Sequence, residues 1–252
     1  MNSTDTRRFG GISRLYGGPA QEALSGARIC VVGLGGVGSW CVEALARTGI
    51  GQLTLIDGDC VAESNVNRQL PALSSTIGLP KAEVLAQRVR DINPNAQVCA
   101  RTEFVSEENF ERLVGAGDVI VDAIDSLSAK TALLAWAHAQ GRTIITSGGA
   151  GGRVDPALIT AGDLARAAND ALLSKVRASL RKHHGFPRGS ERAGQSRPFG
   201  IRAVYSTEAA RGCAADSGAA AGAGFGTAVV VTASMGMRLA AEAIAAILGW
   251  TR

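Results

Sequence analysis

A glycine-rich segment with the spacing of a nucleotide-binding loop, Gly33-Leu-Gly-Gly-Val-Gly38, follows a short apolar run and precedes a segment of helical periodicity. Its glycines (Gly33, Gly35, Gly36 and Gly38) permit a tight turn, so that backbone N–H groups at a helix N-terminus can bind phosphate. Asp57 follows about twenty residues later, where a carboxylate accepts hydrogen bonds from ribose hydroxyls. Taken alone, this pattern favours a nicotinamide or flavin enzyme, or glycines that serve only turning and packing.

The polar residues that follow Asp57 distinguish between the possible nucleotides. Asp59, Asn65, Arg68 and Gln69 bring amides, a guanidinium and a further carboxylate to the place where a triphosphate would extend. A dehydrogenase needs a flat nicotinamide slot in that place. The sequence therefore indicates ATP.

Three further side chains suit cleavage of ATP at the α-phosphate. Arg68 can donate two parallel hydrogen bonds to phosphate oxygens, and Lys81 can add a point charge. Asp125, at the carboxyl end of a predicted strand, is placed to hold Mg²⁺. We expect Arg68 and Lys81 to be exposed in the site.

Each of these residues also has a simpler interpretation. Asn65 and Asn67 could be turn residues, Arg68 a surface cation, Lys81 a residue on a solvated helix face, and Asp125 a helix N-cap. Their joint occurrence after a glycine loop favours the catalytic interpretation.

Short apolar runs alternate with segments of helical periodicity, which predicts an α/β fold with a doubly wound, Rossmann-like parallel sheet. The predicted strands are 27–32, 52–57, 97–100, 118–125 and 142–147. The predicted helices are 37–48, 81–92, 107–114 and 129–140. Ligands of such sheets bind beyond the carboxyl ends of the strands, where the glycine loop and Asp125 fall.

The composition shifts after Gly152. Residues 162–184 have the pattern of a charged helix, and residues 185–200 lack periodicity and are expected to form a mobile loop. Residues 228–248 are apolar, but Arg238 and Glu242 would be costly in lipid, so a buried helix is favoured over a membrane span.

The densest basic region of the chain lies between Lys175 and Arg202. The only acidic residue in this stretch is Glu191. Its cations are Lys175, Arg177, Arg181, Lys182, Arg188, Arg192, Arg197 and Arg202. On a helix the first four would spread over one broad face, which would suit a curved phosphate backbone.

The composition is that of a globular enzyme: of 252 residues, 46% are hydrophobic, enough to bury a core. A formal charge of +4 permits a polyanionic partner without requiring one. The five cysteines form no C-x-x-C pair, so we expect reduced thiols and no zinc. No apolar segment typical of a secretory signal occurs in the first 26 residues, and we expect a cytoplasmic protein with no membrane partner.

The motifs of residues 7–150 resemble the adenylation domain of molybdopterin-synthase and thiamin-sulfur-carrier adenylyltransferases, in the ubiquitin-activating-enzyme-like superfamily. These motifs are Gly33-x-Gly-Gly-Val-Gly-Ser39, Asp57-x-Asp59, Asn65-x-Asn-Arg-Gln69, Lys81 and Asp122-Ala-Ile-Asp125. A narrower resemblance, almost end to end, is to the tRNA threonylcarbamoyladenosine dehydratases. It rests on Arg8-Phe-Gly-Gly-x-x-Arg14-Leu-Tyr-Gly17, Ala44-Leu-Ala-Arg-Thr-Gly-Ile-Gly51, Gly148-Gly-Ala-Gly-Gly152, Val204-Tyr-Ser-Thr-Glu208 and Gly224-Phe-Gly226.

This resemblance implies ATP-dependent cyclisation of threonylcarbamoyladenosine, next to the tRNA anticodon, to its oxazolone form. The substrate carboxylate attacks the α-phosphate to give an acyl-adenylate, and the carbamoyl oxygen then closes the ring and expels AMP. Arg68, Lys81 and Asp125 with Mg²⁺ are the implied catalytic residues. The implied ATP-binding residues are Gly33, Gly35, Gly36, Gly38, Asp57, Asp59, Asn65 and Gln69.

The resemblance also implies three segments and a set of partners. Residues 1–26 form an N-terminal arm, 27–152 an adenylation domain, and 153–252 a tRNA-binding extension that closes the active site. A homodimer is implied, in which Arg8 or Arg14 reaches the partner's ATP site. Relatives can use a sulfur-acceptor or desulfurase partner, which we do not expect here because Cys213 is out of register with the cysteine of those relatives.

Three other function classes compete with the tRNA cyclodehydratase. A sulfur-carrier activator would act on a protein ending in Gly-Gly, but the missing zinc ligands and the basic region favour tRNA. The Asn-x-Asn-Arg-Gln motif with Lys81 argues against a dinucleotide-dependent oxidoreductase. Arg68, Lys81 and Asp125 together argue against a non-catalytic nucleotide sensor.

Overall fold

The computed structural model describes residues 3–188, 197–212 and 225–250. Within these ranges seven strands form one sheet in the order β3-β2-β1-β4-β5-β7-β6. The strands are β1 (Arg28–Val32), β2 (Gln52–Ile56), β3 (Gln97–Arg101), β4 (Val119–Asp122), β5 (Thr143–Ser147), β6 (Ile159–Asp163) and β7 (Arg202–Ser206). All neighbouring strands pair in parallel except β6, which runs antiparallel to β7 at one edge.

Helices cover both faces of the sheet. They are α1 (Ser3–Tyr16), α2 (Gly18–Gly26), α3 (Gly38–Thr48), α4 (Lys81–Ile92), α5 (Phe110–Val114), α6 (Leu127–Ala139), α7 (Ala171–His183) and α8 (Val229–Ile247). Apolar residues of α3, α4 and α8 form a core on one face, and those of α5, α6 and α7 form a second core on the other. The predicted doubly wound, Rossmann-like fold is therefore confirmed.

The prediction of one charged helix over 162–184 is wrong at its start. Residues 159–163 form β6, a short 3-10 helix follows, and α7 begins only at Ala171. The Asp163 carboxylate accepts hydrogen bonds from the backbone N–H groups of Ala165, Phe199 and Gly200. Pairing with β7, distant in sequence, thus overrides local helix propensity.

Two other elements depart from the prediction. Strand β7 was not predicted, although it lies inside the sheet between β5 and β6. The predicted helix over 107–114 is limited to α5, because the Asn109 side chain bonds Ser106 N–H and the Phe104 carbonyl and stabilises a turn there. The predicted mobile loop lies partly outside the described residues, at 189–196.

Helix α8 is the one described helix that is long and apolar enough to cross a membrane. It packs instead against α3 and the sheet, with Met235 and Leu239 fully buried. Gly236 allows this approach, since a Cβ there would lie 2.7 Å from the Cβ of Trp40. Glu242 pairs with Arg238 and with Arg202 of β7, so the charges that would be costly in lipid are neutralised within the protein.

Candidate functional site

A cavity of about 520 Å³ lies at the carboxyl ends of β1, β2, β4 and β5. Strand order reverses between β1 and β4, which makes this edge the topological switch point where open α/β sheets bind ligands. Of the predicted site residues, all but Gly38 line it: Gly33, Gly35, Gly36, Asp57, Asp59, Asn65, Arg68, Gln69, Lys81 and Asp125.

The glycine loop connects β1 to α3, and its glycines have different roles. Gly33 has φ +86°, and a Cβ there would lie 2.7 Å from the Ala123 carbonyl oxygen. Gly38 opens α3 and would place a Cβ against the Gly33 carbonyl, so a glycine is needed there for the helix to pack against the strand end. Gly35 lines the cavity, and the nearest atom to a Cβ added there would be Gln69 Nε2, at 3.8 Å. Its backbone can therefore approach a phosphate closely.

Asp57 holds this loop in place. Its Oδ2 accepts a hydrogen bond from Leu34 N–H (2.6 Å), and its Oδ1 accepts one from Asp59 N–H (2.8 Å). A carboxylate has about four acceptor positions. Asp57 thus braces the backbone and can still accept hydrogen bonds from ribose hydroxyls at the cavity wall.

Lys81 is buried, only 5% exposed, which contradicts the expectation of an exposed side chain. It is the first residue of α4, whose next residue, Ala82, is also buried. The aliphatic stem is therefore covered, while Nζ reaches the cavity and forms an ion pair of 2.9 Å with the exposed carboxylate of Asp59.

Arg68 lies on a short irregular segment that three side chains hold in shape. Asn65 Oδ1 accepts a hydrogen bond from Ala62 N–H (3.1 Å), so Asn65 does act as a turn residue as well as lining the cavity. The Arg68 carbonyl accepts hydrogen bonds from Trp40 Nε1 (3.1 Å) and Thr232 Oγ1 (3.2 Å). Arg68 is half-buried and not exposed as expected, because its guanidinium folds back to donate to the Ser64 carbonyl and to Asn67 Oδ1.

Gln69 adds an acceptor to which no described residue donates. It is 8% exposed, and its Oε1 is buried without a hydrogen-bond partner among the described residues. Buried polar atoms are almost always satisfied. Gln69 lines the cavity beside the glycine loop, and a ligand donor that reached Oε1 would satisfy this acceptor.

Asp125 is exposed and lines the cavity. The N-cap of α6 is Ser126, so the N-cap interpretation of Asp125 is wrong. Mg²⁺ is usually held by one or two carboxylates together with substrate phosphates. A single carboxylate facing the same cavity as Arg68 and Lys81 fits that donor set.

Several cavity residues were missed from the sequence. The Thr232 hydroxyl of α8 donates to the Arg68 carbonyl, and its methyl group lies so close to Gly36 that a Cβ added there would be 3.0 Å away. Phe104, 68% exposed, lies over Gly58 and adds an aromatic face to the cavity rim. Leu172 of α7 also lines the cavity, so residues beyond 152 contribute to its walls. The resemblance implied that residues 153–252 close the active site, but it named none of these side chains.

The described cysteines are free thiols. Burial raises the pKa of the Cys30 thiol to about 12 and raises that of Cys41 further, which disfavours the nucleophilic thiolate at both positions. Cys213 and the stretch from Ala219 to Gly224 lie outside the described residues.

The basic helix does not present one broad cationic face. Lys175 and Lys182 are exposed on one side of α7, whereas Arg177 and Arg181 turn inward. Arg181 donates to the Pro187 carbonyl (3.1 Å) and lies 5.2 Å from the Phe199 ring centroid. Burial and the neighbouring Arg181 lower the pKa of Arg177. The 3.6-residue period separates the two pairs, and Arg192 lies outside the described residues.

Known proteins match both the sequence and the fold. Residues 10–252 match the ThiF family. The tRNA threonylcarbamoyladenosine dehydratase of Haemophilus influenzae is 45% identical over 91% of this chain and 89% of its own. That of Escherichia coli K12 is 42% identical over 94% of this chain and 92% of its own. The crystal structure of the Escherichia coli enzyme in complex with ATP superposes with a TM-score of 0.88 at 41% identity, covering 98% of this chain and 96% of that one. This chain therefore belongs to the ThiF family and, within it, to the tRNA threonylcarbamoyladenosine dehydratases.

Proposed function

We propose that this protein is an ATP-dependent tRNA cyclodehydratase, which converts threonylcarbamoyladenosine to its cyclic form through a carboxyl-adenylate. The observation that carries this proposal is the match along almost the whole chain to relatives of this name, one of which is known with ATP bound. The cavity at the switch point of the sheet supplies the groups that adenylation needs.

The reaction is an adenylyl transfer to the substrate carboxylate followed by an intramolecular ring closure. The substrate carboxylate oxygen attacks the α-phosphorus, pyrophosphate leaves, and a mixed anhydride forms. The carbamoyl oxygen then attacks the activated carbonyl carbon and expels AMP, and a carbamoyl N–H releases its proton to solvent. The oxygen formally lost as water therefore leaves within AMP.

We assign the phosphates to Arg68, Lys81 and the glycine loop. Both cations line the cavity and both are oriented by neighbours, Arg68 by Ser64 and Asn67, Lys81 by Asp59. Charges that are fixed before the reaction stabilise the developing negative charge without reorganisation. The second step needs little beyond proximity, because both reacting groups belong to one nucleoside.

We assign Mg²⁺ to Asp125. When bound, the ion neutralises phosphate oxygens and so lowers the barrier to attack by an anionic carboxylate. The carboxylate faces the cavity and makes no hydrogen bond or ion pair with the described residues, which leaves its oxygens available.

The exposed cations of α7, Lys175 and Lys182, are assigned to tRNA. The division into an arm (1–26), an adenylation domain (27–152) and a tRNA-binding extension (153–252) remains a proposal. A homodimer in the cytoplasm is also proposed, supported by exposed apolar side chains on α8 such as Val230 and Met237. The arginine that reaches the partner's ATP site would be Arg8 or Arg14. Arg8 donates a hydrogen bond to the Ile92 carbonyl of its own chain.

An isotope experiment tests the proposal directly. tRNA carrying threonylcarbamoyladenosine labelled with oxygen-18 in the carboxylate is incubated with the protein, ATP and Mg²⁺. The nucleoside should lose one water, and AMP should gain one labelled oxygen per turnover. The oxazolone and its hydantoin isomer have equal mass, so NMR of the product identifies the ring.

The same assay distinguishes the proposed dehydratase from a sulfur-carrier activator. Such an enzyme would release pyrophosphate with a carrier protein ending in Gly-Gly and would leave the modified tRNA unchanged. An unchanged nucleoside with the intact, ATP-binding protein would refute the proposed function.

A further inference from the structure

A fully buried ionic network lies directly behind the nucleotide cavity. Asp122 at the end of β4, Lys130 of α6 and Thr146 of β5 have no exposed surface. Lys130 Nζ lies 2.7 Å from Asp122 Oδ2 and 3.0 Å from Thr146 Oγ1, and the Thr146 hydroxyl donates to the same Oδ2 over 2.7 Å. Asp122 and Thr146 also face each other in the strand register.

The network ends on the backbone that carries Asp125. Asp122 Oδ1 accepts a hydrogen bond from Ile124 N–H over 3.0 Å, which fixes the turn after β4. Ala123, Ile124 and Asp125 all line the cavity. The orientation of the Asp122 carboxylate, set by Lys130 and Thr146, therefore sets the path of the chain to Asp125.

Stability alone does not explain such a network. Removing two charges from water is costly, and buried ion pairs replaced by apolar residues of similar volume often leave proteins equally or more stable. Groups behind a metal ligand, in contrast, commonly orient that ligand by hydrogen bonds.

We propose that Asp122, Lys130 and Thr146 are positioning residues that hold Asp125 in the geometry needed to bind Mg²⁺ together with ATP. The role given to Asp125 rests on the proposed function, but nucleotide binding can be measured without tRNA. A wild type that binds Mg²⁺ and ATP yet leaves tRNA unchanged would refute the dehydratase function and leave the present inference testable.

Thr146 offers the most conservative perturbation. Thr146→Val removes the hydroxyl at nearly constant volume, and Thr146→Ser keeps the hydroxyl. Thr131 of α6 is the matched control, because it is buried and its Oγ1 has no hydrogen-bond partner among the described residues. Thr131→Val should therefore behave as the wild type.

The test is calorimetric titration of ATP at a series of Mg²⁺ concentrations, with thermal unfolding of each variant. Thr146→Val should raise the Mg²⁺ concentration for half-maximal ATP binding by about tenfold or more, and should leave ATP affinity without Mg²⁺ unchanged. Thr146→Ser should restore the wild-type dependence. A lower melting temperature with an unchanged Mg²⁺ dependence would mean a purely structural role and overturn the proposal.

A double-mutant cycle with Asp125→Asn tests the route of the effect. If Thr146 acts through Asp125, Thr146→Val should have no further effect on the Mg²⁺ dependence once Asp125 is changed. Independent effects of the two substitutions would overturn the proposal, as would ATP binding by the wild type that does not depend on Mg²⁺. Should Thr146→Val fail to fold, Thr146→Ala serves for the same measurements.

Discussion

Substitution of Lys81 separates its contribution to catalysis from its contribution to stability, because its stem is buried and its charge reaches the cavity. Lys81→Ala deletes three buried methylene groups at about 0.8 kcal/mol each, so unfolding should become roughly 2–3 kcal/mol easier. The lost ion pair adds less than about 1 kcal/mol, since the Asp59 side chain is 56% exposed. Lys81→Met keeps most of the apolar stem and should cost less than about 1 kcal/mol.

Both variants lose the same charge toward the phosphates. Removing one preorganised electrostatic contact typically slows chemistry by about 10²- to 10³-fold. AMP formation should therefore fall equally in Lys81→Met and Lys81→Ala, whereas only the alanine variant should unfold at clearly lower urea concentration. Near-normal AMP release by Lys81→Met would refute the assignment of Lys81 to the phosphates. A loss of activity that tracked stability across the pair would also contradict it.

Three further outcomes are expected. Arg68→Ala should abolish AMP formation with little change in melting temperature, because its guanidinium bonds only Ser64 and Asn67 among the described residues; unchanged turnover would contradict this. The double variant Lys175→Glu/Lys182→Glu should weaken tRNA binding and flatten its salt dependence while sparing ATP affinity, and identical slopes would mean that tRNA binds elsewhere. The Arg28 guanidinium donates a hydrogen bond to Asp118 and lowers the pKa of that carboxyl below its usual 3.8. The ion pair therefore stabilises the fold fully above pH 3.8, and this stabilisation is lost as the pH falls through the lowered pKa. Arg28→Met should therefore reduce the loss of stability on acidification, measured by urea unfolding between about pH 5 and pH 2.

Much of the nucleotide-binding part of the fold could be predicted, because its strands, helices and glycine loop have sequence patterns that are local. A strand, a glycine loop and a helix follow one another directly from Arg28 to Thr48, and the apolar periodicity of each is clear. Asp57 and Asp125 fall at strand ends, where the topology of a parallel sheet alone brings them to one edge.

The features that escaped prediction depend on partners distant in sequence. Strand β7 is short, and its sequence pattern does not distinguish a strand from a loop. Among the described strands, β6 pairs only with β7, so it could not be predicted without it. The burial of Lys81 and the inward turn of Arg177 depend on how α4 and α7 pack, which helix periodicity does not specify. The buried network of Asp122, Lys130 and Thr146 has no clear signature in the sequence. Asp122 and Asp125 lie three positions apart, and the sequence does not show that Asp122 is the buried one.

The contact between α8 and the glycine loop has a consequence for folding during synthesis. Thr232 holds the carbonyl of Arg68 across 164 positions of the chain, and it also touches Gly36. At the usual rate of translation these residues emerge roughly ten to thirty seconds apart. A nascent chain thus carries the glycine loop, Asp57 and Lys81 long before it has the helix that completes the cavity wall. Because a ligand stabilises only the state it binds, ATP should favour folding more strongly in chains that already include α8.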